Sequence, residues 1–388
     1  MEKAGYQSIT KESNLRTVFG HIFALGRVSR AELSKRTGLS PTTVSALTEE
    51  LLGNNFIQSL GAGTLPASGR RPLLFSVDPM GGILACVDLH RAGAFLSLYG
   101  LDLNLLEEDY IPLGDVRLLG ESLEKGIMML CQRQGIPGER ILGICIGAPG
   151  VLDREKKRIL RSTILPVDGE NAFFPHLEMA FPGARVEMVN ESSLSAYCEK
   201  EYGESTRGKN PLLYIDFHDG IGAGMVVDGK IYDGHSHAAG EFGHVSIDYN
   251  GPACQCGGRG CIEILAGHDV LARELSLPGR ERRMVFVLAG EQYGKGDPKT
   301  VGVLEHMAEK LACALNSTVN LLDPEIVVLG GDIVLLGEGF LRMLKDKMAK
   351  VSLLPEGSPE IAYSSLEGNP VTRGGAKYLF DILFREGI

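Results

Sequence analysis

The 388-residue sequence has no apolar run long enough to cross a bilayer, and Met1 to Thr10 has no signal-peptide pattern. These absences argue against a membrane or exported protein and lead us to expect a cytoplasmic one with no membrane partner. Cysteine is scarce over most of the chain. Of eight, Cys86, Cys131, Cys145, Cys198 and Cys313 are scattered, mostly among apolar residues. That distribution suits buried thiols rather than a disulfide framework, in keeping with a reducing compartment. A surplus of positive charge is also missing: the net charge of −10 argues against a protein coated for nucleic acid along its whole length. The average hides a division, however. Residues 1–72 carry nine Lys/Arg against five Asp/Glu, a balance of +4, which leaves −14 for the remainder. A basic head on an acidic body suits a small DNA-binding module joined to something else.

The length, with 44% hydrophobic and 23% charged residues, suits two or three compact units with a sizeable core. The remaining cysteines are concentrated in one stretch, Gly240 to Glu263, which reads G-E-F-G-H-V-S-I-D-Y-N-G-P-A-C-Q-C-G-G-R-G-C-I-E. Cys254, Cys256 and Cys261 fall within eight residues, interleaved with Gly257, Gly258 and Gly260, and His244 lies ten residues upstream. Three thiolates and an imidazole are what a tetrahedral structural zinc requires, and the glycines let a short loop turn its sulfurs to one centre. So small a loop has no core of its own, and metal ligation would replace packing.

In the head, Leu15, Val18, Phe19, Ile22, Phe23 and Leu25 recur at helical spacing, and Gly26 stops that helix. Ser29 with Glu32 forms a capping-box pattern for a second helix ending at Gly38. Ser40 followed by Pro41 starts a third, with Val44, Leu47 and Leu51 as its buried stripe. Helix, glycine turn and helix at this spacing form a helix-turn-helix, whose second helix enters the major groove. Ser40, Thr42, Thr43, Ser45 and Thr48 are the expected DNA contacts on its outer face. Phe56 to Leu60 and Leu73 to Val77 read as strands joined by a wing carrying Arg70 and Arg71, suited to phosphate or minor-groove contact. The same helical pattern would also serve a protein-binding module; the basic balance and the paired arginines favour DNA.

Beyond residue 80, apolar runs such as Gly82–Leu89, Arg140–Ile146 and Glu325–Gly331 alternate with helical periodicity, which implies an α/β architecture. Here the chain as a whole resembles the ROK family of bacterial repressors and sugar kinases. The motif G-E-x-G-H followed by C-x-C-G-x-x-G-C-x-E carries the resemblance, together with a head like that of the family's winged helix-turn-helix regulators, including G-R-R-P. The resemblance implies a two-lobed, actin-like (ribonuclease H-like) body of sugar-kinase type with a cleft between lobes. Three units are then expected: a head at 1–78, a first lobe at 79–190 completed by a helix at 374–388, and a second lobe with the zinc loop at 191–373. It further implies His244, Cys254, Cys256 and Cys261 as Zn2+ ligands. Asn190, Glu191, Glu241, His244 and Glu263 would be sugar contacts, with Thr163 as a further one.

Family kinases read D-x-G-x-T at one phosphate loop and G-T-G-I-G-A-G at another. This sequence has Asp88-Leu89-His90-Arg91-Ala92 and His218-Asp219-Gly220-Ile221-Gly222-Ala223-Gly224. A β-carbon at the glycine position obstructs the close approach of phosphate, and Asp219 sets a carboxylate where phosphate oxygens would lie. The family's catalytic Asn-Asp is here Asn190-Glu191, a degenerate base position that moves the carboxylate about one methylene outward; misplacement by ~1 Å can cost ~100-fold in rate. The expected function is therefore a sugar-responsive transcriptional regulator of the repressor class, with no catalytic residue. It would bind operator DNA and a small carbohydrate as a homodimer or homotetramer. An ATP-dependent hexose or N-acetylhexosamine kinase is the alternative.

Overall fold

The computed structural model describes residues 2–62, 72–165, 173–277, 279–353 and 359–384. Arg70 and Arg71, expected on a wing, lie outside the described residues.

The head comprises α1 (Glu2–Leu25), β1 (Val28–Ser29), α2 (Arg30–Thr37), α3 (Pro41–Gly53), β2 (Ile57–Ala62) and β3 (Leu73–Val77). The local signals act as their chemistry requires. Ser29 Oγ accepts the Glu32 amide at 3.3 Å and Ser40 Oγ accepts the Thr43 amide at 3.1 Å, while Gly38 takes a left-handed φ of 71° between the two helices. Only half of the capping box forms, because the Glu32 carboxylate instead takes the Arg36 guanidinium at 3.0 Å. β1 is too short to show periodicity in the sequence. It is antiparallel to β3 and completes a sheet ordered β1-β3-β2.

One expected DNA contact is corrected. Thr48 is fully buried, not exposed. It lies four residues from Val44 and three from Leu51, so it falls on the same helix face. Its hydroxyl donates to the Ser45 carbonyl at 3.0 Å and accepts from Arg30 Nε at 2.7 Å, so both of its roles are used inside the head. Thr42 is exposed, and Thr43 and Ser45 are half-buried.

The body begins with β4 (Ile83–Leu89), β5 (Gly93–Gly100), β6 (Leu105–Pro112), α4 (Leu119–Arg133), β7 (Ile141–Ala148), β8 (Val151–Asp153), β9 (Arg158–Arg161), α5 (Phe173–Ala180) and β10 (Arg185–Asn190). Its sheet is ordered β10-β7-β4-β5-β6, and every residue of β4 is buried, as a central strand covered on both faces demands. After α6 (Glu191–Tyr202) come β11 (Leu212–Phe217), β12 (Ile221–Val227), β13 (Lys230–Ile231), α7 (Ile262–Ala266), α8 (His268–Glu274), α9 (Arg282–Gly294) and α10 (Pro298–Leu322). β14 (Ile326–Gly331), α11 (Gly337–Val351), β15 (Glu360–Tyr363) and α12 (Pro370–Phe384) complete the chain, with a second sheet ordered β13-β12-β11-β14-β15.

α6 packs on β11 and β12, α12 packs on β4 and β7, and the two helices pack on each other between the sheets. Gly374 permits this approach, since a Cβ there would come 2.1 Å from the Leu194 carbonyl oxygen. α12 also reaches the head. Phe380 and Phe384 meet Phe23 and Phe19 with ring centroids 4.4 and 4.6 Å apart. Of the scattered cysteines, Cys86, Cys131, Cys145 and Cys198 are buried free thiols, whereas Cys313 is exposed on the outer face of amphipathic α10, contrary to expectation.

Candidate functional site

β4 and β11 each end in Asp-x-His, as Asp88-Leu89-His90 and Asp216-Phe217-His218. The two strand ends bring these loops together, with the imidazole centroids 6.2 Å apart. Around them a cavity of about 50 Å³ collects Thr163, Asn190, Glu191, Glu241, His244 and Glu263, all six residues expected to contact a sugar. It adjoins a larger space of about 940 Å³ that shares Thr163, Asp219 and Glu263 with it.

Asn190 caps α6, its Oδ1 accepting the Ser193 amide at 3.2 Å while its Nδ2 donates to the Gly150 carbonyl at 3.4 Å. Glu191 follows in the first helical turn with its Oε2 buried and unpartnered. Burial pushes its carboxyl well above the usual range, reinforced by the nearby negative charges of Asp216, Asp88 and Glu241. The protonated form is favoured there, and a protonated carboxyl donates as well as accepts. Burial raises Glu241 too. Glu263, at the start of α7, accepts the Ile221 amide at 3.1 Å. Hydroxyl-rich ligands suit such a mixture of donors and acceptors.

His244 belongs both to this cavity and to the cysteine loop. Its Nε2 lies 3.9 Å from Glu241 Oε2, while its Nδ1 lies 3.6 Å from Cys254 Sγ. Cys256 and Cys261 sulfurs are 3.6 Å apart, and the ligand atoms of all four residues lie within 4.8 Å of one another. A tetrahedron with ~2.3 Å Zn–S bonds has edges of about 3.8 Å, so the donor set and its spacing fit one metal ion. Backbone bonds from Ile247 to the Gly260 carbonyl and from Cys254 to the Gly258 carbonyl, each 2.9 Å, shape the loop. Gly260 is required at φ 59°, where a Cβ would lie 1.9 Å from the Asp248 carbonyl oxygen.

The two Asp-x-His loops are tied by charge. His90 Nε2 lies 2.8 Å from Asp88 Oδ2, which also accepts Asn369 Nδ2 at 2.8 Å. Burial works against a charged His90, but hydrogen bonds to Asp219 and Asp88 override it and raise the imidazole to about 10. His218 is raised as well: burial opposes its charge, and the bonded Asp216 carboxylate prevails. Asp219 reaches across to the Arg91 amide and back to Arg282 of α9. Sequence reasoning missed Asp216, Arg282, Asp332 and Asn369. The repeated Asp-x-His was a usable signal for Asp216, but no local pattern marked the others.

Two sheets with a pair of helices packed on each other between them, a polar cleft and a loop of one histidine and three cysteines at its edge define the class: an α/β protein with a body of sugar-kinase type. A model of the ROK family matches residues 84–380, and the chain belongs to that family. It is 27% identical over 331 residues to a xylose repressor of Bacillus spizizenii, with 84% of each chain covered. It shares the fold of a ROK family transcriptional regulator, a homologue of the E. coli MLC protein, at TM-score 0.79 and 24% identity, with 97% of each chain covered. A ROK hexokinase from Thermus thermophilus matches at TM-score 0.63 and 25% identity, covering 96% of its own chain but 76% of this one.

Proposed function

We propose that this protein is a cytoplasmic, sugar-responsive transcriptional repressor. In this reading residues 1–78 form a winged helix-turn-helix head that places α3 in the major groove of operator DNA through Ser40, Thr42, Thr43 and Ser45. Arg70 and Arg71 would add phosphate or minor-groove contacts. The lobes 79–190, completed by α12 (Pro370–Phe384), and 191–369 close on a small carbohydrate held by Asn190, Glu191, Glu241, His244, Glu263 and Thr163. Zn2+ on His244, Cys254, Cys256 and Cys261 would fix the imidazole and the loop; it supplies structure, and the chain's own polar groups orient the sugar. A homodimer would set two heads on two half-sites.

The observation that carries this reading is the filling of the kinase-like phosphate region by His90 and Asp219 beside an intact polar cleft. The likeness to a named xylose repressor over most of both chains supports it. The kinase reading needs phosphate at these loops, and phosphoryl transfer depends on positioning and neutralising that phosphate. Fluorescence anisotropy of labelled DNA from upstream of the gene, titrated with protein and then with a sugar panel, tests the proposal. Salt-sensitive binding that one sugar shifts is the expected result. Absence of DNA binding together with ATP turnover on a sugar would overturn it.

A further inference from the structure

Three donors from two distant parts of the chain converge on the Asp219 carboxylate. Its Oδ2 accepts the Arg91 amide at 2.9 Å and lies 3.6 Å from His90 Nδ1, and its Oδ1 accepts Arg282 Nη1 at 2.6 Å. An amide, an imidazole held positive and a guanidinium aimed at one point make the kind of cradle that binds phosphate oxygens. Here the oxyanion belongs to the chain.

Other contacts hold the cradle in place. Arg282 Nε donates to Asp332 Oδ2 at 2.7 Å, and Arg283 Nη1 lies 3.5 Å from Asp332 Oδ1. His90 rests on Asp88, which Asn369 holds in turn. The donors therefore stay in position when Asp219 is truncated. His90 and Arg91 follow β4 of the first sheet, whereas Asp219 lies in the turn between β11 and β12 of the second and Arg282 opens α9, so the contact spans the cleft.

We propose that Asp219 is a built-in occupant of an anion site between the two lobes. It joins the loop at 218–220 to the loop at 90–91 as a bound phosphate would, so the lobes close without nucleotide, and its removal uncovers a site for a phosphate-class oxyanion. The proposal goes beyond the repressor reading and would hold equally for a sugar-binding protein that touches no DNA.

The test is titration of the full chain with inorganic phosphate, followed by ³¹P line width and by thermal midpoint against chloride of equal ionic strength. Asp219→Ala should bind phosphate at least tenfold more tightly than wild type and melt higher in its presence, while wild type responds to neither. Adding Arg282→Gln should remove the gain. If Asp219→Ala does not fold, Asp219→Asn, which keeps an acceptor for the Arg91 amide and loses the charge, should show a smaller gain of the same sign. Equal phosphate binding by wild type and variants, or a gain that survives loss of Arg282, overturns the proposal.

Discussion

The imidazole of His244 stands between Cys254 and Glu241, with Nδ1 3.6 Å from the sulfur of one and Nε2 3.9 Å from the carboxylate of the other. One ring thus links the metal-type loop to the floor of the cleft. Fixing Nδ1 fixes the direction of Nε2 as well.

Replacing Cys256 with Ser should therefore affect both places. Zinc content measured by mass spectrometry should fall, with affinity lowered by more than the ~10–100-fold that loss of an outer partner costs. The thermal midpoint and sugar affinity should fall with it, and chelation of the wild type should reproduce both effects. Full sugar affinity in a zinc-free variant would separate the loop from the cleft.

Glu191→Gln should leave sugar affinity within a few-fold of wild type, because an amide resembles the protonated carboxyl that this site favours. Asn190→Ala should weaken binding by about tenfold, near the ~1–1.5 kcal/mol of a lost hydrogen bond. It should also cost ~1 kcal/mol of stability by uncapping α6. Calorimetry and urea unfolding read the two effects. Abolished binding in Glu191→Gln would mean that the ionised carboxylate is what binds.

Thr48→Val should destabilise the head by about 1–3 kcal/mol, since it leaves Arg30 Nε without its acceptor. Operator preference should not change, because Thr48 is buried. Thr42→Ala should do the reverse, sparing stability and weakening DNA binding. Anisotropy with operator and mutated-operator DNA, alongside thermal melts, distinguishes them.

The raised His90 predicts a direction for pH dependence. A histidine stabilised in its charged form contributes fully below the unfolded value near 6.5, and its contribution is lost as pH rises through the folded value of about 10. Stability should thus decline between those limits more steeply in wild type than in His90→Gln. The groups around His90 are Asp88, Asp219, His218 and Phe95, and of these Asp219 and Asp88 dominate. Chemical denaturation across this range checks the slope, and identical slopes in the two proteins would contradict the assignment.

Much of the chain was legible where the signal is local. Ser29, Ser40, Pro41 and Gly38 mark helix ends through bonds that span three or four residues, and α2 and α3 begin and stop there. The cysteine loop was readable because its ligands lie close together in sequence. β1, with two residues, and the β8–β9 hairpin were not, because strands so short have no period to detect. α12 begins at Pro370 rather than Gly374, as proline opens a helix readily at its first turn. Thr48 was misplaced because a hydroxyl reads as a surface group until a partner such as Arg30, 18 residues away, is brought beside it.

By itself the sequence determined the helix ends of the head, the longer strands and the metal-type donor set, since periodicity, capping and ligand spacing are properties of neighbouring residues, and the motif of the cysteine loop carried the resemblance to the family. The tertiary structure alone decided which charges meet. Arg91 and Asp219 are 128 residues apart, Arg282 a further 63, and Asn369 lies 281 residues from Asp88. These groups become neighbours only because two sheets direct the ends of β4 and β11 into one cleft while α12 returns to the first sheet. Strand order and helix packing are set by burial summed over the whole chain, and no short stretch of sequence encodes that sum.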